Sequence, residues 1–134
     1  MAVLEEGIAA LLIADATIGA VVANRIYPLM IPQGATLPCL TYQRISTPRI
    51  VTHQSSGATG DLTNPRFQFD AWGVTQKEVK AISDALRAVL HGKKGAMGGV
   101  TIRAAMAENE EPEFDPDSEL YRSRSDYIIW QEEA

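Results

Sequence analysis

The sequence predicts an α+β fold: a mixed, mostly antiparallel sheet with two main helices packed on it and a protruding β-hairpin arm. Three observations carry that expectation. Cys39–Ser46 and Arg66–Gly73 both alternate β-branched or aromatic residues with polar ones, the pattern of neighbouring strands. Two other segments repeat apolar residues at helical spacing. Between the two strands lies a Thr/Ser/Gly-rich excursion, Thr47–Pro65, longer than compact domains usually carry unless it serves a partner or a lid.

Element by element, Val3–Ala14 reads as helix. Val3, Leu4, Ile8, Leu11 and Leu12 share a face, and Glu5 and Glu6 occupy the first turn, where the helix dipole favours acids. Asp15-Ala16-Thr17 supplies caps for a shorter helix through Val22. Arg25-Ile26-Tyr27-Pro28 reads as a short extended piece, because Pro28 biases Tyr27 away from helical dihedrals. A proline-punctuated connection, Leu29–Pro38, leads into the first long strand. In the second, Phe67, Phe69 and Ala71 share one face, and Arg66, Gln68, Asp70 and Trp72 the other.

The excursion has its own pattern. Setting Pro48 opposite Pro65 places Val51 across from Leu62 and leaves Ser56-Gly57 as a two-residue turn. Facing prolines interrupt a ladder, so the segment reads as an arm hinged near Pro48 and Pro65. The alternative is a disordered loop. Next, Thr75 and Glu78 form a capping box ahead of the apolar face Val79, Ile82, Leu86, Val89 and Leu90. Gly92 ends that helix, with His91 and Lys93 near its negative end. Lys93–Gly99 reads as a flexible turn without the spacing of a phosphate loop. Val100–Met106 reads as a strand, Glu108–Glu119 as an acidic connection, and Tyr121–Trp130 as a closing strand.

Composition narrows the function. A chain of 134 residues, 46% hydrophobic and 22% charged, fits one soluble domain. No apolar run approaches the roughly 18 residues that cross a bilayer. Gly7–Ala14 is short and follows Glu5 and Glu6, so neither a membrane span nor a secretory signal is expected. Cys39, the only cysteine, suits a reducing compartment and reads as a buried strand residue. The net charge of −5 is concentrated: Glu108, Glu110, Glu111, Glu113, Asp115, Asp117 and Glu119 are seven of the 17 acids, with no base among them. The remaining 10 acids against 12 bases leave the body at +2. Sequence-specific nucleic-acid binding would need a basic stripe, which the sequence does not have.

No catalytic constellation is visible. His53 and His91 stand in no metal-binding relation to each other or to Cys39, and no serine lies in a nucleophile elbow, so no metal or cofactor is expected. A small hydrolase or ligand-binding enzyme would need a pocket converging on residues such as Asp70, Trp72 and His91.

Particular residues in order carry a resemblance. They are Leu11-Leu12-Ile13-Ala14-Asp15, Arg25-Ile26-Tyr27-Pro28 and Pro32-Gln33-Gly34, then the strand Leu37–Ser46 entered through Pro38. Phe67-Gln68-Phe69-Asp70-Ala71-Trp72 follows, leading into the capped helix that ends Leu86–Gly92, and Tyr121–Trp130 closes the series. The chain resembles the small phage tail-completion proteins, the tail terminators and tail-to-head joining proteins of long-tailed bacteriophages and prophages. The resemblance covers nearly the whole chain, and its order and spacing matter more than any one motif. It implies a structural virion protein without catalytic residues, made in the bacterial cytoplasm and placed at the head-proximal end of the tail. Copies would form a ring, commonly of six, that stops tube growth and joins the major tail tube protein to a head-completion or neck protein. A tail-tube or minor neck protein is the alternative. The first expected contact surface is the arm, with Arg49, His53, Gln54 and Asp61. The second is the acidic segment, with Glu110, Glu111 and Glu113.

Overall fold

The computed structural model describes residues 4–23, 25–46, 49–50, 62–97 and 100–132. Helices α1 (Leu4–Ala14) and α2 (Ala16–Val22) come first, followed by the short strand β1 (Ile26–Pro28) and by β2 (Cys39–Ser46). Two two-residue strands, β3 (Arg49–Ile50) and β4 (Leu62–Thr63), lie within the Thr47–Pro65 excursion. Then come β5 (Arg66–Gly73), α3 (Gln76–Leu90), β6 (Gly95–Met97), β7 (Val100–Asp115) and β8 (Leu120–Glu132). The sheet runs β1-β2-β5-β8, with both β7 and β4 paired to β8; β1 is parallel to β2 and the other pairs are antiparallel. It is therefore mixed and mostly antiparallel, as the sequence predicts.

The three helices cover one face of this sheet. Leu4, Ile8 and Leu12 of α1, Ile18 and Val22 of α2, and Val79, Ile82, Leu86 and Leu90 of α3 are all buried. They meet Leu40, Tyr42, Phe67, Phe69, Ala71, Tyr127 and Ile129 from the strands in one core. Period-2 burial on β5 and period-3.6 burial on α3 place these residues on the same side. One buried polar link lies within the layer boundary: Ser83 Oγ on α3 donates to Ser123 Oγ on β8 at 2.8 Å, so neither hydroxyl is left unsatisfied.

Local signals account for the helix ends. Asp15 caps α2 by accepting from the Ile18 amide at 2.9 Å. Thr75 and Glu78 form the reciprocal capping box of α3, and Gly92 follows its C-cap at φ 82°. Gly73 allows close packing where β5 meets α3. A Cβ there would lie 3.2 Å from Glu78 Cβ and 3.3 Å from Val79 Cγ1.

The structure corrects three sequence expectations. The acidic segment is not a connection: Glu108–Asp115 continue the strand begun at Val100, and only residues 116–119 turn. Part of the supposed flexible turn, Gly95–Met97, is β6 and pairs with Val100–Ile102. At the base of the arm, Ile50 rather than Val51 is the partner of Leu62, a register shift of one residue. β4 also pairs with β8, joining the arm's base to the main sheet. The predicted Ser56-Gly57 turn lies outside the described residues.

Candidate assembly interface

Strand β8 divides its side chains between two environments. Ser123, Ser125, Tyr127, Ile129 and Gln131 are buried beneath the helices, so the alternate residues Arg122, Arg124, Asp126, Ile128 and Trp130 face the side without helices. On that side the register sets Glu113 against Arg122 and Glu111 against Arg124. Arg122 lies 2.6 Å from Glu113, and its guanidinium stacks 5.3 Å from the centre of the Trp72 ring. Trp72 Nε1 in turn donates to Thr41 Oγ1 at 3.1 Å. A continuous polar ladder thus crosses β2, β5, β8 and β7. Each half-exposed ion pair contributes only about 0–1 kcal/mol, so the ladder aligns strands more than it stabilises them.

Asp70 is the strained member of this ladder. Its side chain is 12% exposed, and Arg124 Nε stands 3.9 Å away, too far for a good hydrogen bond. Gln68 Nε2 donates to one of its oxygens at 3.0 Å. Burial pushes its carboxyl above the usual carboxylate range, outweighing that hydrogen bond and the charges of Arg122 and Arg124. The raised value means that the ionised form opposes folding. That cost is absent below the unfolded-chain pKa of about 4 and is complete above the raised folded value. Asp70→Asn is therefore expected to raise the urea midpoint at pH 7, with the difference closing as pH falls toward 4. A lower midpoint at pH 7 would place the attraction of the arginines above the burial cost.

The structure places the predicted contact acids on both sides of β7. Glu110 lies on the helix side of β7 and meets Arg87 of α3 at 3.3 Å. Glu111 and Glu113 lie on the other side, where Asn109 Nδ2 donates to Glu111 at 3.0 Å. Asp115 organises the turn, accepting from Ser118 Oγ at 2.9 Å and the Asp117 amide at 3.1 Å, bonds that hold its carboxyl below the usual range. Arg49 belongs to β3 and pairs with Thr63 at the base of the arm. His53, Gln54 and Asp61 lie outside the described residues.

Two further features were not evident from sequence. Val79 and Gln76 of α3, together with Pro112, Glu113, Phe114, Tyr121 and Arg122 of the β7–β8 hairpin, line a groove of about 220 Å³. The Phe114 and Tyr121 rings close one wall, their centres 4.9 Å apart. At the far edge of the sheet, beside β1, Leu29 and Met30 are 70% and 73% exposed. Leu29 sits at φ 67°, unusual for a residue with a bulky side chain, and its amide donates to the Tyr42 carbonyl at 2.8 Å.

The three residues named above for an enzymatic pocket are not brought together. Asp70 and Trp72 lie on the sheet face away from the helices, while His91 caps α3 and its Nδ1 accepts the Ala107 amide at 3.1 Å. Burial pushes the Cys39 thiol up to about 11, which keeps it protonated and unreactive at neutral pH. Among the described residues, no three His, Cys, Asp or Glu side chains are placed to hold a metal, and no helix is long and apolar enough to cross a membrane.

Comparison with known proteins gives these elements a context. A family profile described as "Tail completion protein gp17" matches residues 6–132, from the first turn of α1 to the end of β8. The chain belongs to this tail completion family. It is a structural protein of a phage tail, from a family that is not a known enzyme family. A solved chain from "Virion of native gene transfer agent (GTA) particle" has the same fold, with a TM-score of 0.75 at 17% identity. The match covers 97% of this chain and 95% of that one. A search of curated protein sequences finds no significant match. For a tail completion protein, surfaces able to meet other structural proteins are the features of interest. Sequence reading singled out the acidic segment and the arm as candidates. It missed the groove, whose walls come from α3 and from residues more than 30 positions later.

Proposed function

We propose that this chain closes the head-proximal end of a tail tube as a ring of identical copies, six in the simplest reading. The ring stops tube growth and offers its other surface to a head-completion or neck protein. The reading rests above all on the family match, which spans nearly every described element. The separation of His91 from Asp70 and Trp72 agrees with that reading. Heterologous contacts between unlike edges of neighbouring copies close into a ring when the rotation between them closes. The arm, with Arg49, His53, Gln54 and Asp61, is proposed to engage a neighbour or the tube by strand addition. Glu111 and Glu113 on one side of β7, and Glu110 on the other, are proposed to meet basic surfaces of neighbours.

The second reading, a subunit of the tube itself, predicts a different assembly. Electron microscopy of the purified chain mixed with preformed tail tubes separates them. A terminator gives rings seated at one tube end and no growth of the chain alone. Indefinite filaments of the chain would assign it to the tube.

A further inference from the structure

Across the sheet, β1 and the Leu29-Met30 knob lie at one edge, and β7 with the groove lies at the other. We infer that the Leu29-Met30 knob of one copy enters the Phe114–Tyr121–Val79 groove of the next, forming the head-to-tail contact of the assembly. The occupant is thus a second copy of this chain, and the inference rests on the ring reading above.

Apolar character matches on the two sides. The connection Leu29–Pro38 carries no charged residue, and Leu29 and Met30 are its most exposed apolar side chains. The groove wall offers Val79, Pro112, Phe114 and Tyr121, and Phe114 is itself 51% exposed. Burying such anchors at the centre of a contact is the usual source of affinity between proteins.

Charge is complementary as well. Where the connection ends, Arg25 donates from Nε to the Pro38 carbonyl at 2.9 Å and from Nη2 to the Val21 carbonyl at 3.2 Å. Its charge is thus held by carbonyl dipoles at the base of the knob-bearing connection. The groove lining itself holds one ion pair, Arg122 with Glu113 at 2.6 Å, and the hairpin tip beside it adds Asp115, Asp117 and Glu119, so acids outnumber bases there. A cation at the base of the knob-bearing connection and an excess of acids around the groove favour head-to-tail pairing over like-with-like pairing.

Backbone geometry fixes the knob before contact. The left-handed turn at Leu29 and the bonds from the Leu29 amide to Tyr42 and from the Met30 amide to the Pro28 carbonyl, both 2.8 Å, hold it against the sheet edge. A preset knob loses little freedom on docking. Knob and groove lie on opposite edges, so the contact leaves one of each unfilled at every step and continues until the ring closes.

The test is a crosslink between copies of the full chain, with assembly followed in parallel. Met30→Cys/Phe114→Cys, oxidised after ring formation, is expected to give a ladder of linked copies ending at the ring size, while either single variant gives none. Cys39 is fully buried and does not compete. Met30→Asp, at a solvent-exposed site, is expected to raise the concentration needed for assembly at least about tenfold while leaving the circular dichroism spectrum unchanged. Rings that form without the double-variant crosslink and tolerate Met30→Asp would overturn the inference and leave the ring reading standing. A crosslink in Met30→Cys alone would also overturn it, by indicating a two-fold contact. If the wild-type chain forms no ring with or without tail tubes, the ring reading fails and this contact with it.

Discussion

Truncating Phe69 to alanine is expected to cost about 3–5 kcal/mol of stability, enough to leave much of the chain unfolded at moderate temperature. Phe69 is completely buried on β5, between Tyr42 of β2 and Ser125 of β8 in the ladder. Its ring packs edge-on against Tyr127 at 5.5 Å, and against Phe67 and Tyr42 at 6.2 and 6.5 Å. Removing it opens a cavity where three strands and the helices above them converge, and rigid neighbours refill little of it. Urea unfolding followed by circular dichroism measures the loss. Phe114→Ala is the control: the same chemical change at a half-exposed ring is expected to cost about 1 kcal/mol or less. Equal losses at both positions would contradict the placement of the core.

Deleting Gln54–Gly60 is expected to abolish the joining of heads to tails while the chain still folds. Ile50 and Leu62 are already paired in β3 and β4, and β4 is bonded to β8, so the base of the arm is anchored independently of its tip. The shortened chain keeps residues 51–53 and 61 between the paired positions, and four residues suffice for a hairpin turn. Stability should change by about 0.5 kcal/mol or less, as for surface alterations generally. Particle counts by electron microscopy should show separate heads and tails. Normal joined particles from this variant would remove the arm from the mechanism.

How the sequence could and could not be read follows from where each signal lies. The bounds of β5 were legible because Phe67, Phe69 and Ala71 alternate into the core. β2, buried at four successive residues from Cys39 to Tyr42, was legible from its β-branched and aromatic residues instead. α3 was legible at both ends because Thr75, Glu78 and Gly92 act within a single turn of backbone. The acidic segment misled because charge and proline describe composition, whereas strand formation depends on the neighbour. Across from it run Arg122 and Arg124, which meet Glu113.

Pro112 fits this strand for a reason visible only in register. The Ile129 amide bonds to the Pro65 carbonyl, so the odd residues of β8 bond toward β5 and the even ones toward β7. Pro112 faces Ser123, an odd residue, and its missing amide therefore points off the open edge and costs no ladder bond. The same alternation lets the outward Ala105 carbonyl accept the Gly92 amide, while the Ala107 amide donates to His91. The groove could not have been found in this way, since no local pattern joins Val79 to Phe114.

The central claim is that the chain works by occupying one end of a tail and linking it to a head. In vitro complementation tests it most directly. Extract from an infection lacking this protein should contain filled heads and unattached tails. Adding the purified chain should convert them into joined, infectious particles, one ring at each tail end. Joined particles already present in the deficient extract, or no gain on addition of the folded chain, would contradict the account.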